Sequence, residues 1–268
     1  MEPAALQLLY FGQGLLDAHA LQTVLSAHLS LSVTAELAPY SGPVNTGGPA
    51  FAQQGGVAWG PHTVKLLHSL EPMPYGPVES CVGPALLPPP MKVDAQQHGS
   101  HTLLYYTGAQ VEALEQFAAL CAVAGALARF DGLVVLNEEA RTACPALDLI
   151  PEDGEDAMQT YRTLPIPYLL GGFVKMEVGD DPRPWVRTFA NHRLGLPNLA
   201  VHLRSHADTG DAFHLMSGVL GYLRTMAETL NPGETIDLGE KTWLIRAPVD
   251  VEWWLDSDGP LLILEPAA

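Results

Sequence analysis

Residues with metal-binding side chains gather between positions 202 and 214 of this 268-residue chain, namely His202, His206, Asp208, Asp211 and His214. Imidazole nitrogen and carboxylate oxygen are ligands that Zn²⁺ and Fe²⁺ accept, and a catalytic site needs three ligands and an open position. One hypothesis is therefore a metal-dependent hydrolase that uses His202, His206, His214 and Asp211 as ligands.

The expected positions of these residues weaken that hypothesis. His202 is expected late in a strand, His206 in a loop and His214 in the first turns of a helix, so they lack the two-histidine helical pair of zinc peptidases. The alternative is that Asp208, Thr209 or Asp211 caps the helix and places negative charge at its positive end. We expect this capping role and no bound cofactor.

Other residue types that could do chemistry also lack the necessary neighbours. His98 and His101 could supply two ligands, but nothing adjacent completes a site, and we expect them in a solvated loop. Cys81, Cys121 and Cys144 form no CxxC pair, so they predict no disulfide framework. The turn at positions 12–14 has two glycines but lacks the lysine and the acidic residue of nucleotide fingerprints. No catalytic residue is predicted.

Trp253 and Trp254 are adjacent within a predicted strand, Val249–Leu255. Since successive side chains of a strand point to opposite faces, one ring should enter the core and the other should face solvent or a partner. An exposed tryptophan is a reasonable anchor for recognition. The alternative is that a neighbouring element covers it as an ordinary packing residue.

The charge balance limits the classes of partner. Thirty acidic and thirteen basic residues give a net charge of −17, whereas nucleic-acid backbones and anionic membranes need a cationic face. Nucleic acid and membrane are therefore not expected as partners, and a cationic protein is. The chain has no apolar stretch near the ~20 residues that span a bilayer and no positively charged leader, so we expect a cytoplasmic location.

The first half predicts strands that alternate with helices. A strand, a helix and a strand are expected over positions 6–37, and the same order recurs around the apolar helix Ala109–Phe130. Each is the pattern of a crossover unit. Residues 1–147 are thus predicted to form a ferredoxin-like α+β half made of βαβ units.

The second half, residues 148–268, predicts a mostly antiparallel sheet packed by one long helix. A charged break at Pro151–Asp156 is the expected boundary, and apolar residues at helical spacing predict the long helix at about 211–230. Gly218 and Gly221 within that helix suggest close approach to the sheet. The fold class expected for the whole chain is α+β with two αβ layers.

Three segments resemble an uncharacterised bacterial family that is known only as a domain of unknown function. The segments are Thr188–Leu199, Leu230–Ile236 and Leu136–Ala140, and the resemblance covers roughly residues 100–247. Glycine and acidic positions typical of the family are replaced near Asn191 and at Asn198. The resemblance implies an α+β fold and a bacterial source, but no reaction and no catalytic residue. Such proteins often occur beside secretion and toxin–immunity systems.

Together these observations favour a non-enzymatic interaction protein, immunity-like or adaptor-like, whose acidic surface binds a cationic partner. The metal-dependent hydrolase is the first alternative. The second is a small-molecule-binding protein with its ligand in a cleft between the two halves. The sequence does not indicate an oligomeric state.

Overall fold

The fold is α+β, as predicted, and contains two separate sheets. A computed structural model describes residues 3–43, 50–238, 241–255 and 259–267. The chain divides into two compact units, the first made of residues 1–138 and 143–164 and the second of residues 139–142 and 165–268. Residues 148–164, which the sequence analysis assigned to the second half, thus pack with the first unit.

The first unit contains a seven-stranded sheet in the order β2-β3-β4-β5-β1-β6-β7. Its strands are β1 Ala5–Tyr10, β2 Thr34–Pro39, β3 Phe51–Trp59, β4 His62–Ser69, β5 Ser100–Tyr106, β6 Gly132–Asn137 and β7 Thr142–Pro145. Its α-helices are α1 Ala18–Leu29, α2 Tyr75–Val82, α3 Pro89–Gln96, α4 Ala113–Ala128 and α5 Ala157–Thr163.

The centre of this sheet has a ferredoxin-like arrangement, but β2, the second strand of the predicted opening unit, lies at the sheet edge with β3, β4 and β5 between it and β1. Strand β1 lies between β5 and β6 and is antiparallel to both, so β5 and β6 run parallel to each other on either side of it. Helix α4 connects them, and β4 pairs with β5 on the other side. The order β4-β5-β1-β6 is that of a split βαβ unit. Strands β2 and β3 extend one edge and β7 the other.

Helix α4 is buried on nearly all sides, as its alanine-rich sequence predicts. Every residue from Phe117 to Ala128 is buried, and the helix packs against the sheet, α1, α5 and the 3₁₀ helix Ala146–Leu149. A Cβ at Gly125 would overlap the carbonyl oxygen of Leu149, an oxygen that also accepts a hydrogen bond from Tyr161 Oη at 2.8 Å. Glycine at this position therefore allows the 3₁₀ helix to approach.

The second unit contains a six-stranded sheet in the order β11-β12-β13-β10-β9-β8. Strands β10 and β13 are parallel, and the other neighbours whose register is defined are antiparallel. The strands are β8 Val174–Val178, β9 Asp181–Arg187, β10 Asn198–His202, β11 Thr235–Leu238, β12 Lys241–Arg246 and β13 Leu261–Pro266. The helices are α6 Ile166–Leu169 and α7 Thr209–Met226.

Helix α7 is the predicted long helix, and it ends earlier than expected. Its face with Met216, Val219, Leu220 and Leu223 packs into the core cluster of this unit. Ala227 follows in the left-handed conformation with φ of 52° and ends the helix at Met226.

The expected role of the two glycines in α7 is wrong. A Cβ on Gly218 or Gly221 would meet no atom within 4 Å, and Gly218 is exposed. The sheet therefore makes no close approach that requires glycine at these positions. None of the described helices is long and apolar enough to cross a membrane.

Candidate interaction surface

The segment that contains the two tryptophans is helical, and the strand predicted for Val249–Leu255 is wrong. Residues Asp250–Leu255 form a kinked 3₁₀ segment whose kink lies at Glu252, with φ of −96° and ψ of 34°. The Glu252 carboxylate accepts a hydrogen bond from the backbone N of Val249 at 2.9 Å. This side-chain bond to the backbone closes a turn and competes with the extended conformation.

A partly buried ion pair anchors the segment to the sheet. Arg246 at the end of β12 donates two hydrogen bonds to the Glu252 carboxylate, at 2.7 and 2.6 Å, and a third to Glu265 at 2.7 Å. Glu252 is only 8% exposed. The hydrogen bonds from Arg246 hold the pKa of Glu252 below its ordinary value, although burial opposes them. Bidentate geometry of this kind fixes the position of both side chains.

The two tryptophans lie in different environments. Trp254 is half-buried and, with Met176 and Val178, packs on a cluster of buried residues that includes Trp185 and Leu255. Trp253 is 76% exposed, and its ring meets that of Trp254 edge-on with centroids 6.0 Å apart. One ring therefore packs inward and the other outward, although the strand alternation used to predict this is absent.

Trp253 belongs to an exposed apolar ridge, which we define as Val249, Val251 and Trp253. Val249 is 53% and Val251 72% exposed. A shallow groove of about 430 Å³ runs beside the ridge. The residues that line it are Pro248, Val249, Asp250, Glu252, Trp253, Leu255, Gly259 and Leu261. Asp250 is exposed, so a carboxylate borders the apolar surface. The ridge thus combines a large aromatic face with negative charge.

The structure does not bring the four predicted metal ligands together. His202 stacks on Trp185, with rings 4.6 Å apart and 5° from parallel, and lies 3.6 Å from Asp181. His206 pairs with Glu177 at 3.3 Å. His214 is exposed and its ring contacts Phe213. Across residues 3–43, 50–238, 241–255 and 259–267, no three His, Cys, Asp or Glu side chains are grouped so that they could hold a metal ion.

The fourth of these residues, Asp211, lines a pocket that His202 also lines. Capping in this region differs from the expectation, because Ser205 begins the 3₁₀ turn that precedes α7. Ser205 and Asp208 form a capping box, in which Asp208 accepts hydrogen bonds from the backbone N and the Oγ of Ser205 at 3.0 and 3.2 Å. Asp208 also occupies the N-cap position of α7, as one of the three expected residues, but its side chain makes no capping hydrogen bond to that helix.

His98 and His101 are buried, so the expectation of a solvated loop is wrong. His98 is 5% exposed and His101 is fully buried at the start of β5. The backbone N of Met73 donates to Nε2 of His98 at 2.7 Å, and Nδ1 of His101 lies 2.9 Å from the carbonyl oxygen of Glu71. Burial lowers the pKa of both imidazoles. The partners are 25 and 30 positions away along the chain. Local sequence patterns do not predict contacts at such separations.

The segment Thr188–Leu199, which carries part of the family resemblance, forms a buried hydrogen-bonded loop. Asn191 Nδ2 donates to Thr188 Oγ1 at 2.7 Å, and the backbone N of Asn191 donates to Asn198 Oδ1 at 3.1 Å. The backbone N of Leu199 also donates to Thr188 Oγ1, at 2.8 Å. These polar residues satisfy buried backbone groups, which is sufficient to explain their side-chain types.

Comparison with known proteins adds no family. No family model matches the chain, and neither the curated proteins nor the solved structures contain a match.

Proposed function

We propose that the chain is a non-enzymatic interaction protein that binds a basic segment of another protein at the ridge formed by Val249, Val251 and Trp253. The observation that carries this proposal is the 76% exposure of Trp253. The residues on either side of it do not share this exposure, since Glu252 is buried in an ion pair and Trp254 packs inward. A large aromatic ring held outward on a fixed support is the usual form of a binding hot spot.

Charge supports a cationic partner. The chain has a net charge of −17, and several of its few cations are already paired with carboxylates, including Arg162 with Glu115 and Arg193 with Glu139. A lysine or arginine of the partner could lie over the Trp253 ring in a cation–π contact. Apolar side chains beside it would then cover Val249 and Val251. An immunity-like or adaptor-like role is the finer form of this proposal.

The test uses a labelled peptide of alternating arginine and leucine and measures its binding by fluorescence anisotropy. We expect Trp253→Ala to weaken binding about tenfold or more, since loss of a hot-spot tryptophan removes more than about 1.4 kcal/mol. The matched control is Phe11→Ala, which removes an aromatic ring that is 64% exposed in the first unit. This control should leave the affinity unchanged.

Ionic strength separates the ridge from general attraction between an acidic protein and a basic peptide. The general attraction falls with salt in both variants, whereas the difference between wild type and Trp253→Ala persists at moderate salt. Equal binding by wild type and Trp253→Ala at low and at moderate salt would contradict the proposal. Partners from a lysate count as support only where Trp253→Ala loses them and Phe11→Ala keeps them.

A further inference from the structure

A pocket of about 160 Å³ lies within the second unit, among the end of β10, the first turn of α7, the start of β12 and the end of β13. Its apolar lining includes Val201 and Leu203, which are buried, and Trp243, which is half-buried. One water needs at least ~10–15 Å³ of space in a cavity, and this pocket is about ten times larger, so it has room for a small organic molecule. It is separate from the ridge around Trp253.

Charged side chains of both signs surround this pocket. Arg204, Lys241 and Asp211 line it and are exposed. Within the described part of the chain, none of the three forms a salt bridge, whereas other arginines such as Arg246 pair with carboxylates at 2.7 Å or less. A fourth charged residue, Asp208, has one carboxylate oxygen already bonded to Ser205. The pocket therefore offers two cations and at least one carboxylate for which the described residues supply no ion-pair partner.

This combination restricts the chemistry of a ligand. A ligand with only a carboxylate would be attracted by Arg204 and Lys241 but repelled by Asp211. A ligand with only an amine would be attracted by Asp211 but repelled by Arg204 and Lys241. A purely apolar molecule would interact with none of the three charged side chains. A ligand that carries a carboxylate and an ammonium group satisfies both signs at once.

We infer that this pocket binds a free α-amino acid with an aliphatic side chain close in size to leucine. Its carboxylate lies at Arg204 and Lys241, its ammonium group at Asp211, and its side chain over Val201 and Leu203 beside Trp243. The inference is independent of the proposed protein-binding role, because none of these residues belongs to the ridge.

The test follows the indole N–H resonance of Trp243, identified by its loss in Trp243→Phe, during titration with three matched probes. L-Leucine has both charged groups, 4-methylpentanoate lacks the ammonium group and 3-methylbutylamine lacks the carboxylate. We expect leucine to give a saturable shift and each of the other probes to bind about tenfold more weakly or worse. Absence of a shift with leucine at millimolar concentration overturns the inference, and so does equal binding of all three probes.

Two variants assign the charged groups. Lys241→Met should weaken the binding of leucine and reduce the ratio of its affinity to that of 3-methylbutylamine. Asp211→Asn should reduce the ratio of the affinity for leucine to that for 4-methylpentanoate. Lys175→Met and Asp180→Asn are matched controls at exposed positions of the same unit and should change neither ratio. Both pocket residues are exposed, and thermal unfolding checks that each variant is folded.

The remaining outcomes test the assignment of the charged groups and the independence of the pocket from the ridge. Unchanged ratios in both Lys241→Met and Asp211→Asn overturn the assignment of the charged groups. Trp253→Ala should bind leucine as wild type does, so failure of the ridge and failure of the pocket are distinguishable.

Discussion

Three histidines of the first unit and two of the second have different surroundings and illustrate how burial determines the contacts of an imidazole. In the first unit, His68, His98 and His101 are at most 5% exposed. Both ring nitrogens of His68 and His98, and Nδ1 of His101, contact backbone or hydroxyl groups. In the second unit, His202 and His206 are partly exposed and lie beside carboxylates. The buried set makes hydrogen bonds inside the first unit, and the other two lie beside carboxylates at the surface.

His98 shows why the buried histidines are held neutral. Its Nε2 accepts a hydrogen bond from the backbone N of Met73, and its Nδ1 lies 2.7 Å from the carbonyl oxygen of Ala95. Nδ1 therefore carries the proton, and a second proton on Nε2 would displace the bond from Met73. Burial lowers the pKa of His62, His68, His98 and His101, in each case as the largest cause.

The largest expected effect is a loss of stability of the first unit between pH 7.5 and 5.5. Because the folded pKa of these four histidines lies below the unfolded value near 6.5, the unfolded state binds protons first as the pH falls. Each histidine can then remove up to about 1.4 kcal/mol of unfolding free energy per pH unit. Amide hydrogen exchange, corrected for intrinsic rates, should show β4 and β5 losing protection while β9 and β10 change less.

Equal protection of β4 and β5 at pH 5.5 and pH 7.5 would contradict the claim that the buried histidines destabilise the first unit when they are protonated. Carboxylates with a lowered pKa, such as Glu252, do not interfere in this window. Their stabilisation is present above the unfolded pKa near 4 and is lost only as the pH falls through the folded value.

A smaller effect should separate buried from exposed ion pairs within the second unit. Glu252→Gln breaks the pair between Glu252 and Arg246, whose side chains are 9% and 25% exposed, respectively. This variant should lower the unfolding free energy by about 2 kcal/mol. Asp181→Asn breaks the pair with Arg183, whose side chains are 36% and 55% exposed, and should have a much smaller effect. Urea unfolding of both variants measures the difference, and equal losses would show that burial does not set the value of these pairs.

Local periodicity predicted the elements that position the sites. Helices α4 and α7 were predicted because their apolar residues recur at helical spacing, and several of the strands were predicted from short apolar or alternating runs. These features depend on neighbours within one element, which the sequence displays directly. The α+β class follows from the same information.

Contacts between distant residues were not predictable. The segment Val249–Leu255 alternates like a strand, but Arg246 and the backbone of Val249 bind the Glu252 carboxylate and turn the chain instead. His98 and His101 are flanked by Gly99 and Ser100, as in a loop, yet Met73 and Glu71 supply buried partners. The pocket around Trp243 gathers residues from four elements, and no local pattern indicates it.

The smallest expected effect is at His206, one of the predicted metal ligands. Its side chain and that of Glu177 are 47% and 67% exposed, so His206→Ala should change the unfolding free energy by no more than about 0.5 kcal/mol. His101→Ala, which empties a fully buried position, should lower it by about 2 kcal/mol or more. A stoichiometric metal ion in protein purified without a histidine tag, lost in His206→Ala together with a large fall in stability, would revive the hydrolase alternative. Without such an ion, His206 remains a surface residue whose exposure, rather than its residue type, determines its contribution.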